Sequence, residues 1–259
     1  MVRIISAPLF ALSWLGGMLL LMEIGRRAGL RRLARDPDQG MAGLDMTAGA
    51  VFAVFGLLIT FTFSGSAARL DARRQLVAVE ANAIGTAYLR LDLLPATAQP
   101  AMRALFRDYV DSRLAVYRQL PDIDAARAAL ARSGELQREI WTRAVTAARG
   151  AGAAADSARL LVPALNDMID ITTTRTTALR IHPPPVVYAL LFAVGLGCAL
   201  LAGYRTAESK YRNWVHMLGF TLIMGIGIYV TLGIEYPRMG FVPMDSYDYL
   251  LVEVRESMQ

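Results

Sequence analysis

Hydrophobic positions along the chain follow two regimes. Unbroken apolar runs occupy residues 4–22, 46–65, 186–204 and 214–234. Each is long enough as a helix to cross a hydrocarbon core of about 30 Å at about 1.5 Å per residue. Between the second and third runs, apolar residues instead recur at three- and four-residue steps, the signature of amphipathic helices. Leu76, Val79, Ala83, Ala87, Leu91 and Leu94 form one such stripe. Nothing between Gly65 and Leu94 interrupts it, so this helix is expected to continue directly from the second run until Pro95 ends it. Thr97 is placed to cap the next helix, striped by Met102, Leu105, Phe106, Tyr109, Val110, Val116 and Tyr117.

Pro121 separates a third amphipathic helix, over 124–149, and Gly150-Ala151-Gly152 reads as a linker to a fourth, over 157–180. No segment alternates with the period of two that a strand requires. The expected fold is therefore all-α: a polytopic membrane protein with four transmembrane helices and a helical bundle domain inserted between the second and third. Residues 1–65 hold the first two spans, 66–182 the extramembrane domain, 183–235 the last two spans and 236–259 a C-terminal tail. Leu44-Asp45 offers an N-cap to the second span. Pro183-Pro184-Pro185 precedes the third, a place where proline opens a helix.

The first run ends in Glu23-Ile24-Gly25-Arg26-Arg27 instead of a small-residue cleavage site, so it reads as a retained span and not a leader. Four spans put both termini and the central domain on one side of the membrane. The basic residues flanking the spans, eight on each side, do not fix which side that is.

Charged residues make up 19% of the chain, against about 25% in soluble domains, and 55% are hydrophobic, which agrees with a lipid-embedded chain. The net charge of +5 does not indicate a nucleic-acid partner. Lys210 is the only lysine, and the arginines are interspersed with Asp and Glu along helical patterns instead of forming a basic block. Cys198 is the only cysteine, which excludes an internal disulfide, and His182 and His216 flank apolar runs without sharing a face. No metal site and no cofactor are expected. Glu80, Asp167 and Asp170 lie among apolar neighbours on amphipathic helices, where carboxylate oxygens can hold a cation. Arg73, Arg90 and Arg175 offer them ion pairs instead. Asp167 and Asp170 are three residues apart, yet nothing supplies the pocket of a paired-carboxylate enzyme, and no enzyme is expected.

Three stretches carry a family resemblance. They are Phe61-Thr62-Phe63-Ser64-Gly65, leading through Leu70-Asp71-Ala72-Arg73-Arg74 to Glu80-Ala81-Asn82-Ala83-Ile84-Gly85-Thr86-Ala87-Tyr88-Leu89-Arg90; Asp92-Leu93-Leu94-Pro95; and Glu235-Tyr236-Pro237-Arg238-Met239-Gly240. Leu165-Asn166-Asp167-Met168-Ile169-Asp170 fits the same pattern. The chain resembles the bacterial bestrophin-like membrane family, itself distantly similar to bestrophins, which are pentameric anion channels. That resemblance implies a homo-oligomer in the bacterial inner membrane, a pentamer, with a cytoplasmic central domain. It also implies a pore lined by the second span and narrowed by bulky apolar side chains four residues apart.

On a wheel at about 100° per residue the second span separates into three faces. Gly49, Ala53, Gly56, Thr60 and Ser64 share a small-residue face suited to helix packing. Val51, Val54, Leu58 and Phe61 share an apolar face suited to lipid. Phe55, Ile59 and Phe63, flanked by Phe52, Thr62 and Ser66, reproduce the bulky triplet and are expected to form the neck, where a narrow apolar ring gates by dewetting. Apolar residues at helical spacing also arise from packing alone. Where bestrophins carry polar and aromatic residues after the neck, this chain has Ser64-Gly65-Ser66-Ala67-Ala68, which leaves anions as the ions implied by resemblance only. The alternative function is a non-conducting scaffold or sensor whose helical domain binds a partner protein.

Overall fold

The computed structural model describes residues 7–35, 42–119, 122–209, 214–236 and 248–258. Among them every regular element is helical and no strand occurs. The helices are α1 (Ala7–Arg35), α2 (Ala42–Leu89), α3 (Gln99–Arg118), α4 (Ile123–Ala148), α5 (Ser157–Arg180), α6 (Pro185–Arg205), α7 (Trp214–Glu235) and α8 (Tyr249–Ser257). The chain divides into two compact units. One comprises residues 1–69 with 182–241, the other 70–181 with 242–259, so the division falls inside α2.

Among the described residues, three stretches are long and apolar enough to cross a membrane, within 46–93, 157–208 and 214–235. The expected first span, 4–22, begins outside the described residues. Within them α1 extends to Arg35, well past the end of that apolar run. In the first unit, α1 packs against α6 and α7 around a core of Trp14, Met18, Met22, Phe55, Leu191, Cys198, Met217 and Ile228. The α1–α6 contact is backbone to backbone. A Cβ on Gly203 would collide with the Met22 carbonyl, and one on Gly25 would collide with the Leu200 carbonyl and lie 2.9 Å from the Tyr204 nitrogen. Only glycine permits that approach, which brings in the close dispersion contacts that hold helices together in lipid.

In the second unit, α3 packs on α4 and α4 on α5, enclosing Ile84, Leu91, Met102, Phe106, Leu136, Ile140, Leu161 and Met168. The helix breaks follow local chemistry. After Leu89 the chain tightens into a 3-10 turn over Arg90–Leu93 before Pro95. Asp122 caps α4, its side chain accepting from the Asp124 and Ala125 amides. Gly152, in the linker to α5, adopts φ +84°, a left-handed conformation suited to glycine.

Two local expectations need correction. Ala98, not Thr97, occupies the N-cap of α3, and no side chain caps it. The second span has no cap at Leu44-Asp45, because α2 already begins at Ala42. The tail contains α8, which buries Leu251 and whose Arg255 forms a two-toothed pair with Asp111 of α3 at 2.8 and 3.0 Å.

The glycine contact sets the first testable expectation. Gly203→Val forces the Met22 backbone away, and overpacking of this kind costs about 1–3 kcal/mol or more. The variant is expected to melt at lower temperature in detergent, followed by loss of helical circular dichroism, whereas Gly197→Val, at a glycine with open space around it, melts like the parent.

Candidate functional site

The long helix α2 organises both units, and its inward side is more polar than apolar periodicity predicts. Through the membrane-spanning half, the covered positions include Ala48, Phe55, Thr62 and Ser66. Beyond Arg69 they include Leu70, Arg73, Val77, Glu80, Ile84 and Tyr88. Two charged residues thus lie at the centre of the inward face. They displaced the stripe expected from Leu76, Val79 and Ala83: Val79 is exposed, whereas Leu76 and Ala83 are only partly covered.

The expected neck triplet is not brought to one open face. Phe55 is 1% exposed, its ring lying 3.0 Å from the Cβ position of Gly195 within the core that contains Trp14. That puts Phe55 inside the subunit, because its position on the wheel is the one that α2 turns toward α6. Ile59 is partly buried against the same core, and Phe63 is 42% exposed. Of the flanking residues, Phe52 packs edge-on against Phe220 with ring centres 5.8 Å apart. Thr62 is buried and donates its hydroxyl to the Leu58 carbonyl, and Ser66 is buried beside Arg69.

The small-residue face is the open one. Gly49, Ala53, Gly56 and Thr60 are exposed, and nothing lies within 4 Å of the Cβ positions of Gly49 and Gly56. Leu57 and Phe61, at 54% and 66% exposure, stand on or beside this face.

Two ion clusters fix the rotation of α2. In the first unit, the Glu235 carboxylate at the end of α7 is wholly buried. It accepts from Arg69 Nε at 2.9 Å and Nη2 at 2.7 Å, and its other oxygen lies 2.9 Å from His182 Nδ1. The His182 ring stacks on Tyr236 at 4.7 Å. An ionisable group at the end of a membrane helix is tolerable only with partners of this kind. Sequence reading gave Glu235 and His182 no role. The family stretch beginning at Glu235 was the available signal.

In the second unit, Glu80 is wholly buried between two arginines. Arg113 Nε donates to Oε1 at 2.6 Å, and Arg175 Nη1 to Oε2 at 2.5 Å. Arg113 also donates to the Tyr117 hydroxyl at 2.8 Å, Arg175 stacks over the Tyr117 ring at 3.9 Å, and Arg175 reaches Asp248 at 3.3 Å. Burial acts to raise the Glu80 pKa, but the two guanidinium groups prevail and hold it below the usual carboxylate range. Burial pushes the Tyr109 and Tyr117 phenols up. Both Glu80 oxygens are engaged by guanidinium groups, so the ion-pair alternative is what the structure contains. Asp167 and Asp170 are exposed on α5 and do not join this cluster. Among the described residues no group of three or more His, Cys, Asp or Glu side chains is placed to hold a metal.

These features define a helical membrane protein organised around one helix with a packed polar side and an open small-residue side. The chain belongs to the bestrophin-like family: the bestrophin-like domain matches residues 16–243. Its fold is similar to that of a bacterial bestrophin homologue from Klebsiella pneumoniae, seen in a crystal structure of a point variant. The TM-score is 0.64 at 15% identity, over 93% of this chain and 96% of that one. No curated protein matches the chain.

Removing one charge tests the Glu80 cluster. Glu80→Gln leaves two buried guanidinium groups without a counter-charge, a change expected to cost about 3–5 kcal/mol in chemical unfolding of the full chain. Because the folded-state pKa is depressed, the contribution of Glu80 is complete above its unfolded value of about 4.3 and is lost as pH falls through the folded value. The gap in stability between parent and variant therefore narrows in acid.

Proposed function

We propose that this protein is an ion channel: a ring of five identical four-span subunits in the bacterial inner membrane, with α2 lining the pathway and the second unit on the cytoplasmic side. The single observation that supports it is the uncovered face of α2. Over residues 49–64 the subunit leaves Gly49, Ala53, Gly56, Leu57, Thr60, Phe61 and Ser64 without neighbours that bury them, while on the opposite face Phe55 and Thr62 are buried and Val51, Leu58 and Ile59 are partly covered. Membership of the bestrophin-like family gives that face its reading as a pore wall.

The constriction in this proposal differs from a simple triplet. Phe55 and Ile59 belong to the wall's backing, and the narrowing falls to Leu57 and Phe63, which flank the open face and which the subunit presents outward. A ring of such side chains closes by dewetting and opens when water fills it.

The two faces make opposite predictions for similar substitutions. Phe55→Ala removes a core ring and is expected to cost about 3–5 kcal/mol of stability. Phe63→Ala is expected to leave the melting temperature near the parent's and to raise ion flux from loaded liposomes several-fold. Absence of flux from correctly assembled parent protein, across voltage and pH, would sink the channel reading. Crosslinking that captures a second protein in fixed stoichiometry would then favour the scaffold.

A further inference from the structure

We propose that α1 carries a binding site for an anionic phospholipid. Arg27 and Arg31 hold the phosphodiester headgroup, and an acyl chain lies along Leu20 and Ile24. The site belongs to one helix of the first unit and does not rest on the channel reading.

The helix α1 has two sides. At about 100° per residue, Met18, Met22, Gly25 and Gly29 fall together on the packed one. Met18 and Met22 are buried in the core, and Gly25 and Gly29 meet the backbone of α6. The other side is uncovered, and its chemistry changes once along the helix. Leu12, Leu20 and Ile24 are 65%, 61% and 46% exposed. Arg27, Arg31 and Arg35, all exposed, continue the same sector in four-residue steps. The helix lies against α6 and α7, and the stretches 157–208 and 214–235 that contain them are apolar enough to cross a membrane. The uncovered Leu20 and Ile24 are therefore suited to acyl chains, and the arginines begin where that apolar strip ends.

Few acids oppose this row. Arg27 pairs with Glu23 at 2.8 Å while its side chain stays 69% exposed, a surface pair that leaves most of the guanidinium available. Among the described residues Arg31 and Arg35 enter no ion pair. Glu208 follows Ala207, which packs against Gly29 on the opposite side of the helix. Asp36 and Asp38 come after Arg35 in the sequence, outside the described residues. Arg32, by contrast, points inward and donates to the Tyr204 hydroxyl at 3.2 Å. A guanidinium fork takes phosphate oxygens two at a time. The four-residue step sets Arg27 and Arg31 about 6 Å apart along the axis, a spacing at which two forks can grip one phosphodiester. Basic clusters at the end of an apolar helix attract anionic lipid, whereas a zwitterionic headgroup brings its own cation.

The test is displacement of a fluorescent phosphatidylglycerol from the full chain in neutral detergent. The competitors are phosphatidylglycerol, phosphatidylcholine of the same acyl chains, and the deacylated headgroup glycerophosphoglycerol. The parent is expected to prefer phosphatidylglycerol to phosphatidylcholine by about twentyfold, less at high salt. Arg27→Gln with Arg31→Gln abolishes that preference, and Arg27→Lys with Arg31→Lys keeps part of it. Arg31→Gln alone lowers it about fivefold, so the comparison survives a double variant that does not fold. Arg127→Gln with Arg132→Gln, which removes two exposed arginines of α4, leaves it at the parent's value. Equal affinity of the parent for the two lipids, or an unchanged preference in the α1 variants, overturns the assignment. A deacylated headgroup that competes as well as the intact lipid overturns it in favour of a free-phosphate site.

Discussion

The orientation of α2 about its own axis is fixed by carboxylates that cannot leave their guanidinium partners. Glu80 between Arg113 and Arg175 is wholly dehydrated, and turning the helix by one position would expose one charge while stranding two others. Isolated buried charges carry penalties of several kcal/mol each, so the arrangement is specific even if an apolar replacement of equal shape would pack as firmly. Glu235 and Arg69 impose the same constraint in the other unit. What α2 shows to the outside follows from what these pairs hold inside.

Several helix boundaries were legible where apolar runs meet proline, glycine or clustered charge. α5, α6 and α7 begin and end within a residue or so of the limits expected from such signals. The rotation of α2 was not legible, for a definite reason. Pattern reading assigns apolar residues inward, and it fails where polar residues occupy interior positions because distant partners satisfy them. Thr62, Ser66, Arg73 and Glu80 all lie on the covered side. Their partners are local backbone for Thr62 but residues many tens of positions away for Arg73 and Glu80, and no spacing rule on one helix reveals those. The neck triplet is divided as a result, its first member being a core residue, and the small-residue face is left open within the subunit.

The same logic separates two uses of glycine that look alike in sequence. Gly25, Gly29 and Gly203 carry the close approach of α1 and α6, whereas Gly49 and Gly56 have open space beside them. A small residue marks either contact or clearance, and only the neighbouring backbone distinguishes them. Similarity in fold to a bacterial bestrophin homologue at 15% identity indicates that such an architecture tolerates wide replacement of side chains.

The α1–α6 seam limits how the first unit can deform. With the carbonyls of Met22 and Leu200 occupying the volumes that Cβ atoms would fill on the opposite helix, neither helix can spin independently without driving its neighbouring side chains into main chain. Two rods joined that way behave as one plate. Any breathing of this unit must occur along its other seams, and spectroscopic labels placed across α1 and α6 should keep a constant separation while labels elsewhere report motion.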